Sequence, residues 1–171
     1  MKIEDVTSIE GHLDQLADLL VQVTGGGASI GFLSPLDLSA ARAYWENVLE
    51  PGVILLIAKR DGEIAGTVQL HLCMKQNGRH RAEICKLMTS PSFRRQGIAR
   101  SLMENILERA QHEGRSLVVL DTREGDPSNL LYASLGFAEA GRIPHYAESA
   151  DGRLDATVIY YKNLAAEETS P

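Results

Sequence analysis

The chain of 171 residues lacks the features that would place it in several common classes. No apolar run approaches the ~20 residues of a membrane-crossing helix, and the opening MKIEDVTSIE has no apolar core of a secretion signal. Its two cysteines, Cys73 and Cys85, are neither spaced as CxxC nor accompanied by a histidine cluster. They are therefore expected to be reduced, core-lining residues of a cytoplasmic protein. His12, His71, His80, His112 and His145 are scattered without ligand spacing, so no metal is expected. Lysine and arginine number 17 against 23 acidic residues, a formal net charge of −6. That shortage of positive charge argues against nucleic acid, whose phosphate backbone needs an extended basic surface. Repeats, low-complexity tracts and proline-rich linkers are absent too. One domain over 1–165 is expected, followed by a polar tail at 166–171.

What is present reads as mixed α/β. Leu13, Leu16, Ala17, Leu20 and Val23 recur at helical spacing, which predicts a helix over about 9–23 that stops at the glycines 25–27. A second helix is predicted over 38–49. The period then becomes alternating: VILLIAKR, the turn Asp61-Gly62, and EIAGTVQLHLCM predict a hairpin. In its second strand Ile64, Val68, Leu70, Leu72 and Met74 are expected to share a face. Asn77-Gly78 signals another turn, and RAEICKLMT a third consecutive strand. Ile98, Leu102, Ile106 and Ala110 then form a helical stripe. SLVVLDT predicts a strand buried on both faces, a short helix follows over 127–135, and two strands close the chain near 137–142 and 156–162. The order implies a largely antiparallel sheet with one parallel crossover.

The stretch FRRQGIARSLM, at 93–103, is unusual in an acidic chain. A helix start offers backbone N–H groups without intrahelical partners and the positive end of the helix dipole. Gly97 lets a bound group approach the backbone without a side chain in the way, and small Ala99 keeps that approach open. Basic residues at a helix start are opposed by the dipole, by about 0.3–1 kcal/mol each, so Arg94, Arg95 and Arg100 fit an anion site better than a purely structural first turn. A pyrophosphate suits it. Neither GxxxxGK[ST] nor GxGxxG occurs, which sets aside a P-loop and disfavours a Rossmann site.

The run KLMTSPSFRRQGIARSLM resembles the acetyl-CoA-binding motif of the GNAT superfamily of N-acetyltransferases, and LLYASLGF resembles that family's later Tyr-containing motif. Further stretches, GGASIGF, LCMKQNGRHRAEICKLM, LDTREGD and GRIPHYAESADGRLDATVIYYK, resemble a branch of the family that acetylates the amine of an amino-acid toxin. The resemblance implies a single-domain α/β GNAT fold with a mixed, mostly antiparallel central sheet, flanked by helices and splayed between the fourth and fifth strands. It implies acetyl-CoA as co-substrate, a small-molecule amine as partner, and a monomer or homodimer.

By that resemblance Arg94, Arg95, Gln96, Gly97, Ile98, Ala99 and Arg100 hold the pyrophosphate. Leu87, Met88 and Thr89 line the pantetheine arm, a backbone N–H near Met88 serving as oxyanion donor. Tyr132 is the candidate general acid, since a phenol of pKa about 10 is protonated when a thiolate of conjugate-acid pKa about 8.5 departs; the other reading is a packing residue. Glu83, expected to share a face with Cys85 and Leu87, is the candidate base, or else pairs with Arg81 or Lys86. Asp121 is a weaker alternative base. Cys85 has no neighbouring cation or helix start to activate it as a nucleophile. Gly125 stands where many family members carry an Asn that touches the pantetheine arm, and Asn129 is out of register. The segment GGGASIGFLSPLD, with Ser29, Phe32 and Asp37, is the candidate acceptor wall, or a simple helix connector. Tyr146 is a second candidate wall, and Trp45 a core residue. Peptide N-termini as acceptor, and a non-catalytic acyl-CoA-binding module, are the competing functions.

Overall fold

Asp61 and Gly62 both take left-handed backbone angles, φ 52° and 82°, as a two-residue hairpin turn requires. They join two strands, the first bounded where the alternating pattern puts it and the second ending at Leu72, two residues short of the pattern. In the computed structural model, which describes residues 1–164, the elements run β1 (Lys2–Asp5), α1 (Leu13–Gly25), α2 (Leu38–Glu46), β2 (Val53–Arg60), β3 (Glu63–Leu72), β4 (Arg81–Thr89), α3 (Ile98–His112), β5 (Leu117–Arg123), α4 (Ser128–Ser134), β6 (Ala138–Glu148) and β7 (Leu154–Asn163). The tail expected at 166–171 lies outside the described residues.

The strands form one seven-stranded sheet in the order β1-β2-β3-β4-β5-β7-β6. Every pairing is antiparallel except β4 with β5, which α3 connects. On one face the stripe Ile98, Leu102, Met103, Ile106 and Ala110 of α3 packs with Val68, Leu70, Ile84, Val118 and Leu120. On the other, Leu16, Leu20 and Val23 of α1 and Ala41 and Trp45 of α2 cover Leu55 and Ile57. Trp45 is wholly buried, as expected.

Several boundaries differ from the sequence pattern, each for a local reason. α1 starts at Leu13 rather than Ile9, because Gly11 takes φ 80° and His12 N–H donates to the Ile9 carbonyl, closing a separate turn. α2 stops at Glu46, where Asn47 turns its side-chain amide back onto the Ala43 carbonyl. β6 continues to Glu148 despite Pro144, since a bulge at His145 (φ 53°) absorbs the irregularity and pairing resumes at Ala147 opposite Asp155. β5 is not buried on both faces: Val118 and Leu120 face α3, whereas Asp121 on the other face is exposed.

Two further bulges change which side chains share a face. Ala58 pairs with Gly66 and Lys59 with Ile64, so Ala65 is an extra residue. Ile64 thereby joins the α1/α2 core while Val68 and Leu70 join the α3 core, correcting the single face expected for them; Met74 lies beyond the strand and is exposed. In β4, Cys85 pairs with Gln69 and Met88 with Thr67, so Lys86 and Leu87 together oppose Val68. Lys86 takes φ 53° to accommodate this.

Gly66 lies beneath that second bulge. A Cβ there would sit 2.6 Å from the Met88 carbonyl oxygen and 2.9 Å from Ile98 Cγ2. Gly66→Ala is therefore expected to destabilise the fold by about 1–3 kcal/mol, as overpacking of a closed core does; thermal denaturation at an unchanged melting temperature would remove the steric argument.

Candidate active site

The bulged strand borders an opening in the sheet. β4 and β5 pair only from Arg81 with Leu117 to Glu83 with Val119. Past that rung β5 stays with β7 as far as Arg123, and β4 stays with β3 as far as Thr89. The splay expected between the fourth and fifth strands is present, and it starts immediately after Glu83. Side chains of 87–89 do not line it together. Leu87 packs toward α3 and Met88 is buried under α1 and α2, while Thr89 pairs opposite Gly66, so the backbone is what this stretch can offer a ligand.

A short helical turn at Pro91–Phe93 leads to the start of α3. Arg95 and Gly97 take φ 60° and 79°, and α3 begins with no side-chain cap and no acidic residue in its first turn. Ser101 N–H bonds back to the Gly97 carbonyl, which leaves the N–H groups of Ile98, Ala99 and Arg100 without intrahelical acceptors. A Cβ on Gly97 would meet nothing within 4 Å. Open approach, free amides and the dipole together fit a phosphate-bearing ligand. Arg95 and Gln96 are exposed beside it. Arg94 instead lies against Gly26 at the carbonyl end of α1, and Arg100 donates to Ser134 Oγ of α4 at 2.6 Å.

Tyr132 of α4 is buried on the α3 side, its ring 5.8 Å from that of Phe137 and 5.9 Å from that of Tyr160. Burial, helped by the charges of Asp121 and Asp126, pushes its phenol above the usual value of 10. The hydroxyl has no hydrogen-bond partner among the described residues. Asp121 accepts a bond from Thr157 Oγ1 at 2.7 Å, and its charge reaches both Tyr132 on one side of the sheet and Cys85 on the other.

Glu83 is exposed at the last rung before the splay. It makes no ion pair with Arg81 or Lys86 among the described residues. It shares the α1/α2 side with Cys85, but Leu87 does not, because the extra residue in β4 reverses the alternation. Burial first, and then the Glu83 charge, push the Cys85 thiol up to about 12, which leaves it a poor nucleophile. Cys73 and Cys85 are both free thiols.

Beside them lies a polar chain that the sequence pattern did not single out. Buried Gln69 donates from its amide nitrogen to Tyr44 Oη at 2.8 Å, and its amide oxygen lies 2.9 Å from His71 Nε2. That oxygen can only accept, so in this arrangement His71 Nε2 is the donor. His71 pairs opposite Glu83.

A cavity of about 240 Å³ opens on the same face. Ser29 and Phe32, from the segment after α1, line it together with Thr24, Arg123, Glu148 and Ser149. Asp37 is not part of it, since it sits in the N-cap position of α2, and Tyr146 projects outward from β6, 55% exposed, although its neighbour Ala147 is a lining residue. Arg123 was not anticipated, and nothing in LDTREGD distinguishes it from a strand-end cation. Asn129 is fully engaged with the Arg123 and Asp126 carbonyls and with Tyr160 Oη, and Gly125 forms an exposed turn at φ 84°. Among the described residues no group of three or more His, Cys, Asp or Glu is placed to hold a metal, and no helix is long and apolar enough to cross a membrane.

Comparison with known proteins places this geometry. The family model described as Acetyltransferase (GNAT) family matches residues 28–137. The [ribosomal protein bS18]-alanine N-acetyltransferase of Escherichia coli strain K12 is 32% identical over 79 residues, 46% of this chain and 53% of that protein. The chain thus spans about half the length of the curated relatives it matches first. Among solved structures, the ribosomal-protein-alanine N-acetyltransferase of Brucella melitensis superposes with a TM-score of 0.81 at 22% identity, covering 95% of this chain and 99% of that one. An acetyltransferase of Salmonella typhimurium, solved with its cofactor acetyl-CoA, superposes at 0.79 and 17% identity, covering 100% and 98%. These likenesses establish a shared fold.

Proposed function

The chain belongs to the GNAT acetyltransferase family, and on that premise we propose that it is an acetyl-CoA-dependent N-acetyltransferase acting on the amine of a small molecule by direct attack in a ternary complex. The observation that carries this reading is the splay after Glu83, with uncapped helix amides at one end of it and a small cavity on one face. Acetyl-CoA supplies an acyl group on a good leaving thiolate. The chain's own residues do the rest. The amides at 98–100, with Arg95 and Gln96, hold phosphate; the backbone at 87–89 aligns the arm; Glu83 accepts the amine proton, directly or through water; and Tyr132 returns a proton to sulfur. Cys85, a protonated thiol, takes no acyl group, which favours direct transfer over an acyl-enzyme.

Residues 147–150 of the β6–β7 hairpin line the cavity, whose volume of about 240 Å³ suits a compact acceptor. GGASIGF, LDTREGD and the ending GRIPHYAESADGRLDATVIYYK resemble the tabtoxin-resistance acetyltransferase, which supports an amino-acid-like toxin or antibiotic as acceptor and a resistance role in the cytoplasm. A second reading, acetylation of a protein N-terminus, draws support from the similarity to the bS18-alanine enzyme. A non-catalytic acyl-CoA-binding module fits less well, because such a module has no use for Tyr132. The deciding experiment is thiol release from acetyl-CoA by the purified protein across the β-lactam amino acid, its ring-opened form, polyamines, aminoglycosides and short peptides. Release with one small amine is expected; release with peptides alone favours the second reading, and donor binding without release with any amine favours the module.

A further inference from the structure

The segment that walls the cavity is held by two cations, one from each of the strands that part. On the β4 side, Lys86 donates from Nζ to the Ile30 carbonyl at 2.6 Å and lies 5.6 Å from the centroid of the Phe32 ring. On the β5 side, Arg123 donates from Nη2 to the Gly27 carbonyl at 3.0 Å. Its Nε bonds Asp126 Oδ1 and its Nη1 bonds Ser149 Oγ, each at 3.0 Å, so one guanidinium grips both walls of the cavity. Such charge-assisted bonds are stronger than neutral ones, and a partly buried cation has no equivalent hydration to return to.

The β4 bulge is what aims Lys86. In an unbroken strand, residue 86 would follow Cys85 onto the α3 side. The extra residue instead sends Leu87 to α3 and leaves Lys86 on the side of Ile30 and Phe32. Phe32 is itself braced edge-on against Tyr44, at 5.2 Å and 79°, and Tyr44 accepts the Gln69 bond from β3. Gly31 leaves room for the ammonium, since a Cβ there would lie 3.0 Å from Lys86 Nζ. The charged contacts of the segment 27–32 with the parting strands thus come from Lys86 on one side of the splay and Arg123 on the other.

We propose that Lys86 and Arg123 are positioning residues for the acceptor, fixing the segment 27–32 across the splay so that the cavity keeps its shape only at the present separation of β4 and β5. This rests on the assignment of the cavity to the acceptor. The donor site and the acceptor site then share two walls, and widening of one reshapes the other.

The test is hydrogen exchange on Lys86→Met, read with steady-state kinetics. Loss of the charged bond is expected to speed amide exchange over 27–32 by about tenfold, with exchange in α3 unchanged. With the small amine that turns over best, the acceptor KM is expected to rise by a similar factor, by more than kcat falls, and the acetyl-CoA KM to hold. Lys86→Arg, which can still donate to Ile30 and stack on Phe32, is expected to restore both readings. Unaltered exchange over 27–32 overturns the strap. A collapse of kcat with acceptor KM unchanged overturns the positioning role and makes Lys86 part of the chemistry. If Lys86→Met does not fold, Lys86→Gln, which keeps a donor without the charge, is expected to give an intermediate exchange rate. Should no amine be turned over, the exchange result still decides the strap, and only the acetyltransferase reading fails.

Discussion

Tyr132→Phe is expected to lower kcat by about two to four orders of magnitude, the usual contribution of a positioned general acid, with little change in the KM for acetyl-CoA. The substitution removes only the hydroxyl. The ring stays between Phe137 and Tyr160, and no protein hydrogen bond of that hydroxyl is broken among the described residues, so the melting temperature should hardly move. Because burial pushes the phenol above its ordinary value, the wild-type rate should show no decline from Tyr132 ionisation below about pH 10. Steady-state kinetics across pH check both statements. An undiminished kcat in the variant would remove Tyr132 from the chemistry and return it to a packing role beside Phe137.

The second large effect is expected at the other end of the splay. Gly97→Val should raise the KM for acetyl-CoA by roughly tenfold to a hundredfold, the loss of about one charge-assisted hydrogen bond of 1.5–3 kcal/mol. A side chain there enters space that is empty within 4 Å, the approach to the amides at 98–100. Valine also meets a backbone constraint, since φ 79° costs a side-chain-bearing residue about 1–2 kcal/mol. Gly97→Asn separates the two causes, because asparagine tolerates left-handed φ yet still places atoms in the approach. Titration calorimetry with acetyl-CoA, beside a melting curve for each variant, reads them apart. Unchanged donor affinity in both variants would move the phosphate elsewhere.

Much of the architecture follows from short-range pattern. The hairpin at Asp61-Gly62, the stripe from Ile98 to Ala110 and the change of period between α2 and β2 depend on neighbours in sequence, and each stands where the pattern puts it. Bulges do not have that property. Alternation assumes two residues per repeat, so the extra residue at Ala65 or Lys86 is invisible until the partner strand is in place, and every assignment past it inverts. That is why Ile64 and Leu87 fall on faces opposite to those expected, and why Lys86 was read only as a possible partner of Glu83. The same reason separates the site residues. The glycine and arginines at 94–100 form a local motif, whereas Arg123 acquires its role from Gly27, 96 positions away. Asp37, expected with Ser29 and Phe32 on the acceptor wall, stands in the N-cap position of α2.

An exposed sheet edge is normally a liability, because its row of unpaired N–H and C=O groups can template the addition of another chain. β4 carries such an edge in the middle of the sheet rather than at its rim, starting beyond Glu83 where β5 turns away. Strands lie on both sides of it and helices on both faces. A slender, extended, amide-bearing arm can complete the interrupted ladder by strand addition. In the proposed reading, the sheet is one strand short by construction, and its co-substrate is the missing strand.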